Sequence, residues 1–421
     1  MPRTSKVLFL LLATFVSAGV VATCFDVTAQ DKKKEDKKDL KKEEKKDPKK
    51  EEKKEEKKEP FKPDPAQQEF KPDEKEKSSW VNEVTFSADG KTVAAVYRNR
   101  SVKIWDLAKK NAQTFKGPEL RGLGEFKCII YANDQVFVGT GKLTKVKEKE
   151  KVKEKEKIRE QNKDKDKIKE KEKVKEKDAE TSIREGEIKV WNAKTGKPGK
   201  SLVGHLDDIE SLAISKDGKF FASASKDNTV KIWDVAAGKD IHTIKGHTDD
   251  VTSVSFSADG KQIVTTSMDK TVRVWDIAGA KEIASFKIER MVEKKDPKGK
   301  VSQEKEIGRD FTHALFTNDG KKVIAGNREG VIKIYDVEGK KEVQELKAHE
   351  GVLALALSPD GSKLATGGYD WTIKIWDTAT GKELRTIKAH EGNVLTLSFS
   401  PNNLWLASGG IDGVVKIWSV K

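Results

Sequence analysis

Seven times along this chain a short run of β-branched residues ends in a large ring followed by a small polar residue. The seven pairs are Trp105-Asp106, Trp191-Asn192, Trp233-Asp234, Trp275-Asp276, Tyr335-Asp336, Trp376-Asp377 and Trp418-Ser419. Where nothing intervenes the spacing is 42 residues, as from Trp191 to Trp233, Trp233 to Trp275 and Trp376 to Trp418, and it is 41 from Tyr335 to Trp376. The fullest unit opens with Gly246-His247, continues through the alternating run Val251 to Phe256 and the turn Asp259-Gly260, and closes on Asp269 to Asp276. Period-two alternation, β-branched runs and Asp-Gly or Thr-Gly turns make each unit several short strands. A unit of this size cannot bury its apolar faces alone, so copies must stack, and the fold class is all-β.

The Gly-His openings and Trp-Asp endings resemble the WD-repeat family of β-propellers, in which each repeat supplies one four-stranded blade. The resemblance covers the chain after its N-terminal tract and implies a seven-bladed β-propeller over residues 67–421. A buried indole nitrogen needs a hydrogen-bond partner, and in the family a hydroxyl, a histidine and a turn aspartate complete that network. The matching structural tetrads are His205, Ser223, Asp227 and Trp233; His247, Thr265, Asp269 and Trp275; His349, Thr366, Asp370 and Trp376; and His390, Ser408, Asp412 and Trp418. They use four of the six histidines, so a Ser/His/Asp catalytic reading of them is the weaker one. The other three blades depart: Asn99 and Glu185 replace the aspartate in blades 1 and 2, and blade 5 has Glu329 and Tyr335, so these blades are expected to be less rigid. The chain stops after a third strand at Val420-Lys421, which leaves blade 7 short of its outer strand; Gln68-Glu69-Phe70-Lys71 is placed to supply it, with Pro72 tolerable at an outer edge.

Composition matters because it is so uneven. Of 421 residues 37% are charged and 35% hydrophobic, a mixture too polar to fold if it were uniform. Two Lys/Glu tracts hold much of the charge: Asp31 to Glu59 carries +3 and Lys145 to Asp178 carries +5 of the net +14. In the first tract, like charges four residues apart and Pro48 oppose a helix, so residues 30–66 read as a disordered tether. Mixed signs throughout blunt the attraction to nucleic acid that a pI near 9.3 suggests. Before the tether, the basic start MPRTSK and the apolar run Val7 to Ala22 are too short for a membrane-spanning helix. They read as a signal peptide, residues 1–29, cut after Val27-Thr28-Ala29. This implies export to the periplasm, cell envelope or medium. The alternatives are an uncleaved membrane anchor, favoured by Lys32 to Lys34, and lipidation at Cys24 after Val21-Ala22-Thr23. Only Cys24 and Cys128 are present, so no disulfide framework exists; Cys128 reads as a core thiol, and no metal or cofactor is expected.

The second tract falls inside blade 2, where residues 142–184 replace the usual turn between the second and third strands. Its apolar residues mirror about Lys163, with Val152 and Val174, and Ile158 and Ile168, each summing to 326; this register makes an antiparallel hairpin conceivable, although it sets Lys151 against Lys175. A disordered segment, a frayed helix or a coiled coil are the other readings. A longer loop at 288–310 joins blades 4 and 5. In the family both connections lie on one face, the top. The residue before each turn acidic position points to that face: Met268, Tyr369 and Ile411 in blades 4, 6 and 7, with Trp371 beside Tyr369, and Arg98, Arg184, Lys226 and Arg328 elsewhere. An apolar arc with two aromatics suits a protein partner. First strands carry a small residue at one position, except for Glu83 and His313, which could face the central channel as an acid and a base.

The leading expectation is a non-catalytic, monomeric interaction scaffold that presents its top face to an unidentified protein or peptide, with no specific nucleic-acid partner. One alternative is an enzyme using Glu83 and His313 at the channel mouth. The other is an electrostatic binder of an acidic polymer or membrane surface through the Lys-rich tracts.

Overall fold

Alternating apolar side chains on short strands demand burial on both faces, and the chain meets this by stacking sheets around a ring. The computed structural model describes residues 64–71, 79–109, 111–116, 124–146, 181–295 and 301–421. Among them there are seven four-stranded antiparallel sheets, one two-stranded ribbon and no helix. Blade 3 shows the pattern: its strands Ile209–Ile214, Phe220–Ser225, Thr229–Asp234 and Lys239–Lys245 pair in sequence order from the axis outward. The first strand of every blade packs against that of the next, and blade 7 against blade 1, so the ring is closed.

The core is the space between blades. In blades 3 and 4, Ala222, Val230, Ile232 and Ile244 pack against Val251, Val254, Ile263 and Trp275, and similar clusters recur around the ring. Burying a side chain of this size is worth roughly 1.5–3 kcal/mol. Blade 3 lends its back to blade 4 as blade 4 does to blade 5, so each sheet depends on both neighbours.

Closure comes from the N-terminal side. Gln68–Phe70 pairs with the last strand, Val415–Ser419, in the register Gln68 opposite Ile417 and Phe70 opposite Val415. Phe70 is buried and stacks on Trp105 of blade 1 at 5.1 Å, and Glu69 meets Lys416 at 3.5 Å. The attachment begins earlier than the expected tether boundary at residue 66. The Asp64 N–H donates to the Lys388 carbonyl at 2.7 Å, and the Lys388 N–H donates to the Asp64 carboxylate at 2.8 Å. Residues 64–70 thus stitch blades 6, 7 and 1 together, because Gln68 Nε2 also donates to the Leu107 carbonyl of blade 1. The expected signal peptide at 1–29 and the rest of the tether lie outside the described residues.

The two long connections differ from their expected form. In blade 2 the second and third strands, Gln135–Val146 and Thr181–Asn192, keep pairing past the point where the other blades turn, down to Val146 opposite Thr181. Residues 142–146 and 181–184 are therefore strand, which narrows the insertion; residues 147–180 lie outside the described residues. Paired positions here sum to 327, as in Lys142 with Glu185, one away from the mirror sum of 326. A one-residue change of register swaps the faces on which side chains fall. The connection between blades 4 and 5 is a ribbon, Glu289–Lys295 paired with Val301–Ile307, where a loop was expected.

Candidate interaction face

Third strands end in an indole whose N–H must find an acceptor once buried. In blade 3, Trp233 Nε1 donates to Ser223 Oγ at 2.8 Å, Ser223 Oγ lies 2.7 Å from His205 Nε2, and His205 Nδ1 lies 2.8 Å from Asp227. Every group is satisfied when the hydroxyl donates to Nε2 and the Nδ1 proton goes to the carboxylate. The same chain runs through Trp275, Thr265, His247 and Asp269 (2.8, 2.7 and 2.8 Å), through Trp376, Thr366, His349 and Asp370 (3.0, 2.7 and 2.9 Å), and through Trp418, Ser408, His390 and Asp412 (2.8, 2.7 and 2.9 Å). The order Asp-His-Ser is that of a hydrolase triad, yet Ser223 has no exposed surface and already holds the indole proton, so a substrate cannot reach it. Three of the aspartates also tie down the loop that carries the histidine: Leu206 N–H donates to Asp227 at 2.9 Å, Thr248 N–H to Asp269 at 3.2 Å and Glu391 N–H to Asp412 at 3.1 Å, whereas Asp370 accepts the Thr372 N–H of its own turn at 3.2 Å.

Burial pushes the Asp227 carboxyl up, but the hydrogen bond and charge of His205, with Thr229 and the Leu206 N–H, outweigh it and hold the group well below the ordinary range. Asp269, Asp370 and Asp412 are lowered by the same balance.

Blade 5 shows what happens without the tetrad. Ala325 stands ten residues before Tyr335, where the hydroxyl would be, and Gly308 takes the histidine's place. A Cβ on Gly308 would come within 2.4 Å of Ile288, so a larger residue does not fit. Glu329 keeps one duty of the aspartate, accepting the Arg309 N–H at 3.2 Å. The Tyr335 hydroxyl is buried without a partner, while its ring stacks on Phe286 at 4.5 Å and meets Phe311 edge-on at 6.3 Å. Aromatic packing here stands in for hydrogen bonds.

The turns between second and third strands form the top face with the loops between blades. In six blades the turn holds a left-handed residue: Arg100, Asn228, Lys270, Gly330, Trp371 and Gly413. Trp371, at φ 65, is a bulky ring in a conformation that suits glycine, and it is 37% exposed. Its carbonyl accepts the N–H groups of Ala389 and His390 at 3.1 and 3.3 Å, which fixes the turn. Tyr369 differs from the expected exposed aromatic. It is half-buried over Gly351, where a Cβ would meet the ring at 2.3 Å, and its hydroxyl accepts from Arg328 of blade 5 at 3.1 Å. Ile411 lies half-buried over Gly392 in the same manner, whereas Met268 is 39% exposed. Arg98 stacks over Trp80 at 4.4 Å and pairs with Glu125 at 2.9 Å. Trp80, itself 40% exposed, was not singled out on sequence grounds; its signal was an aromatic directly before the first strand of blade 1.

Arg184 corrects another expectation. It lies opposite Leu143 within the extended hairpin, so it does not flank a tight turn as its counterparts do. Lys226 joins a charged group with Lys127, Asp208, Glu210 and Asp250; it is 3.7 Å from Glu210 and 4.0 Å from Asp250. The top face is thus apolar and aromatic over blades 6, 7 and 1 and ionic over blades 2 to 4.

Glu83 and His313 are not brought together as an acid and base pair. They sit on the first strands of blades 1 and 5, which are not neighbours. Glu83 accepts the Ile129 N–H of blade 2 at 2.5 Å, and burial pushes its carboxyl up to about 8 despite that bond. Burial and the charge of Arg328 push His313 down to about 4. Both shifts favour the uncharged forms. Cys128 is buried, and burial with the charges of Glu83 and Glu210 raises its thiol, which opposes nucleophilic use.

The geometry agrees with what a family comparison gives. The WD domain, G-beta repeat model matches residues 71–106, 196–234, 238–276, 340–377 and 381–419. These five matches end in the third strands of blades 1, 3, 4, 6 and 7, and the ring supplies blades 2 and 5, the two with long connections. The chain belongs to the WD-repeat β-propeller family. Comparison with curated proteins gives no match.

Two expected outcomes follow from the tetrads. Asp227→Ala removes the carboxylate acceptor of the buried His205 Nδ1–H and should cost about 2–3 kcal/mol by chemical denaturation. Because the four carboxyls titrate lower in the folded chain than in the unfolded one, their contribution is fully present above about pH 5 and is lost as pH falls further; acid unfolding curves of Asp227→Asn should be correspondingly shallower, and curves identical to native would remove the assignment. Tyr335→Phe deletes a hydroxyl without a partner, so the melting temperature should stay level or rise. A clear fall would show that the hydroxyl is bonded.

Proposed function

We propose that this propeller is a non-catalytic interaction scaffold whose top face receives a protein or peptide over blades 6, 7 and 1. WD-repeat propellers are typically protein-interaction scaffolds. The observation that carries the reading here is Trp371. A left-handed backbone costs a bulky residue roughly 1–2 kcal/mol, two sibling turns avoid that cost with Gly330 and Gly413, and yet this blade keeps an indole there, partly in water. Trp80 extends the exposed apolar surface, Tyr369 and Ile411 form its half-buried floor, and Arg98 and Arg328 border it, while Met268, on blade 4, lies apart from it. Partially desolvated aromatics beside arginines are the usual anchors of protein interfaces. Glu83 and His313, on blades that are not neighbours, do not favour the enzymatic alternative. In this reading the propeller acts as a monomer, and its Lys/Glu tracts are spacers.

The test compares affinity capture by the native chain, a Tyr369→Ala, Trp371→Ala double variant, and Trp371→Gly. Trp371→Gly should melt at the same or a higher temperature yet lose the captured partner, as the double variant does. An identical captured set for all three would sink the proposal.

We further propose that the chain is exported and that its N-terminal segment is removed after Ala29, supported by the basic start and the 16-residue apolar run Val7 to Ala22. Terminal sequencing of protein made in a bacterial host should find a chain starting at Gln30 outside the cytoplasm. A cytoplasmic chain starting at Met1 would contradict it.

A further inference from the structure

Blade 2 departs from its siblings at the end of the strands away from the top face. In the other six blades five residues join the first strand to the second, as in Ser87 to Lys91 of blade 1. In blade 2 the strands Cys128–Ala132 and Gln135–Val146 are joined by Asn133 and Asp134 alone, at φ 47 and 59, the left-handed pair of a two-residue hairpin. Elsewhere neighbouring turns touch: Asn318 Nδ2 of blade 5 donates to the Pro359 carbonyl of blade 6 at 2.9 Å, and the Asp360 N–H of blade 6 donates to Asn403 Oδ1 of blade 7 at 3.2 Å. Between blades 1 and 2 the short turn leaves a groove of about 710 Å³.

The same blade changes a residue that lines this groove. Opposite Val136 it carries Tyr131, half-buried, where the siblings hold Phe86, Ile214, Phe256, Phe316, Leu357 and Phe399 at the equivalent register. Apolar side chains satisfy packing there, so the fold does not require the Tyr131 hydroxyl. Burial raises that hydroxyl, and the charges of Asp134 and Asp89 add to the shift; a phenol that keeps its proton donates as well as accepts. Three carboxylates, Asp89, Asp106 and Asp134, and two ammonium groups, Lys109 and Lys194, line the groove with it. Both ammonium groups are matched, Lys109 to Asp106 at 3.3 Å and Lys194 to Asp134 at 2.7 Å. A lone ion would have to compete with a partner already in place. A paired carboxylate still has free lone pairs, however, and an ammonium has three protons, so a ligand whose groups each donate and accept can serve both kinds at once.

We propose that the groove between blades 1 and 2 binds a neutral saccharide. Sugar hydroxyls donate to the three carboxylates and accept from Lys109, Lys194 and the Tyr131 hydroxyl, while C–H groups cover Ala112 on the wall. The volume falls in the range of small-molecule sites. A peptide is disfavoured, because its anchoring side chains need apolar pockets and the groove's other large apolar residue, Ile104, is itself buried.

Titration calorimetry with cellotriose, mannotriose, xylotriose and maltotriose tests this, with trigalacturonate and a pool of uncharged hexapeptides as competitors of other chemistry. The native chain should bind at least one neutral trisaccharide about tenfold more tightly than either competitor. Tyr131→Phe, which installs the residue found in blades 1, 4, 5 and 7, should keep its melting temperature and lose about tenfold in affinity, the effect of one hydrogen bond. Replacing Asn133 and Asp134 by the five-residue turn of blade 1 should close the groove and abolish binding. The Tyr369→Ala, Trp371→Ala variant should bind the sugar as the native chain does, which separates this site from the top-face reading. No binding of any of the four sugars, tighter binding of trigalacturonate or of the peptide pool, unchanged affinity in Tyr131→Phe, or loss in the Tyr369→Ala, Trp371→Ala variant would each overturn the proposal.

Discussion

The buried indole N–H at the end of a third strand is the constraint on which the intact blades depend. An indole in a dry interior without an acceptor costs free energy, and the answer in blades 3, 4, 6 and 7 is a relay that runs from ring to hydroxyl to imidazole to carboxylate. In blades 3, 4 and 7 the carboxylate also grips the backbone of the loop entering the blade, so one network fixes strand, turn and loop together. Networks of this kind stabilise only when each member is satisfied. Blade 5 makes the point in reverse, because with Ala325 and Gly308 in place of two members it keeps the ring, drops the relay and relies on Phe286 and Phe311.

Rigid blades permit variation where the blades meet water. The same left-handed turn holds glycine in two blades, arginine, asparagine or lysine in three and a tryptophan in one. What differs between turns is then chemistry at a fixed place. The ring consequently has sides: an aromatic stretch over blades 6, 7 and 1 and an ionic one over blades 2 to 4. Loops on a rigid scaffold are where binding groups concentrate.

Much of this was legible from residues alone because the repeat is local. The offset of ten residues from hydroxyl to indole, and of about 22 from histidine to aspartate, brings the tetrad members together whenever the strands pair in order. Counting strands also exposed the gap in blade 7, and Gln68-Glu69-Phe70 was the segment at hand to fill it. Trp80 and the half-burial of Tyr369 were not legible in this way. Each depends on a neighbouring blade or loop: Arg98 over Trp80, and Arg328 and Gly351 around Tyr369.

By itself the sequence determined the number of blades, their order, the four relays and the place of the closing strand, since these follow from period, spacing and the need to pair every buried donor. Only the tertiary structure decided which side chains remain in water, where the blade 2 hairpin stops turning and pairs instead, and that Glu83 and His313 never form a pair. Exposure and proximity across a ring are set by the stacking of distant segments, and no local pattern encodes the neighbour that a blade will meet.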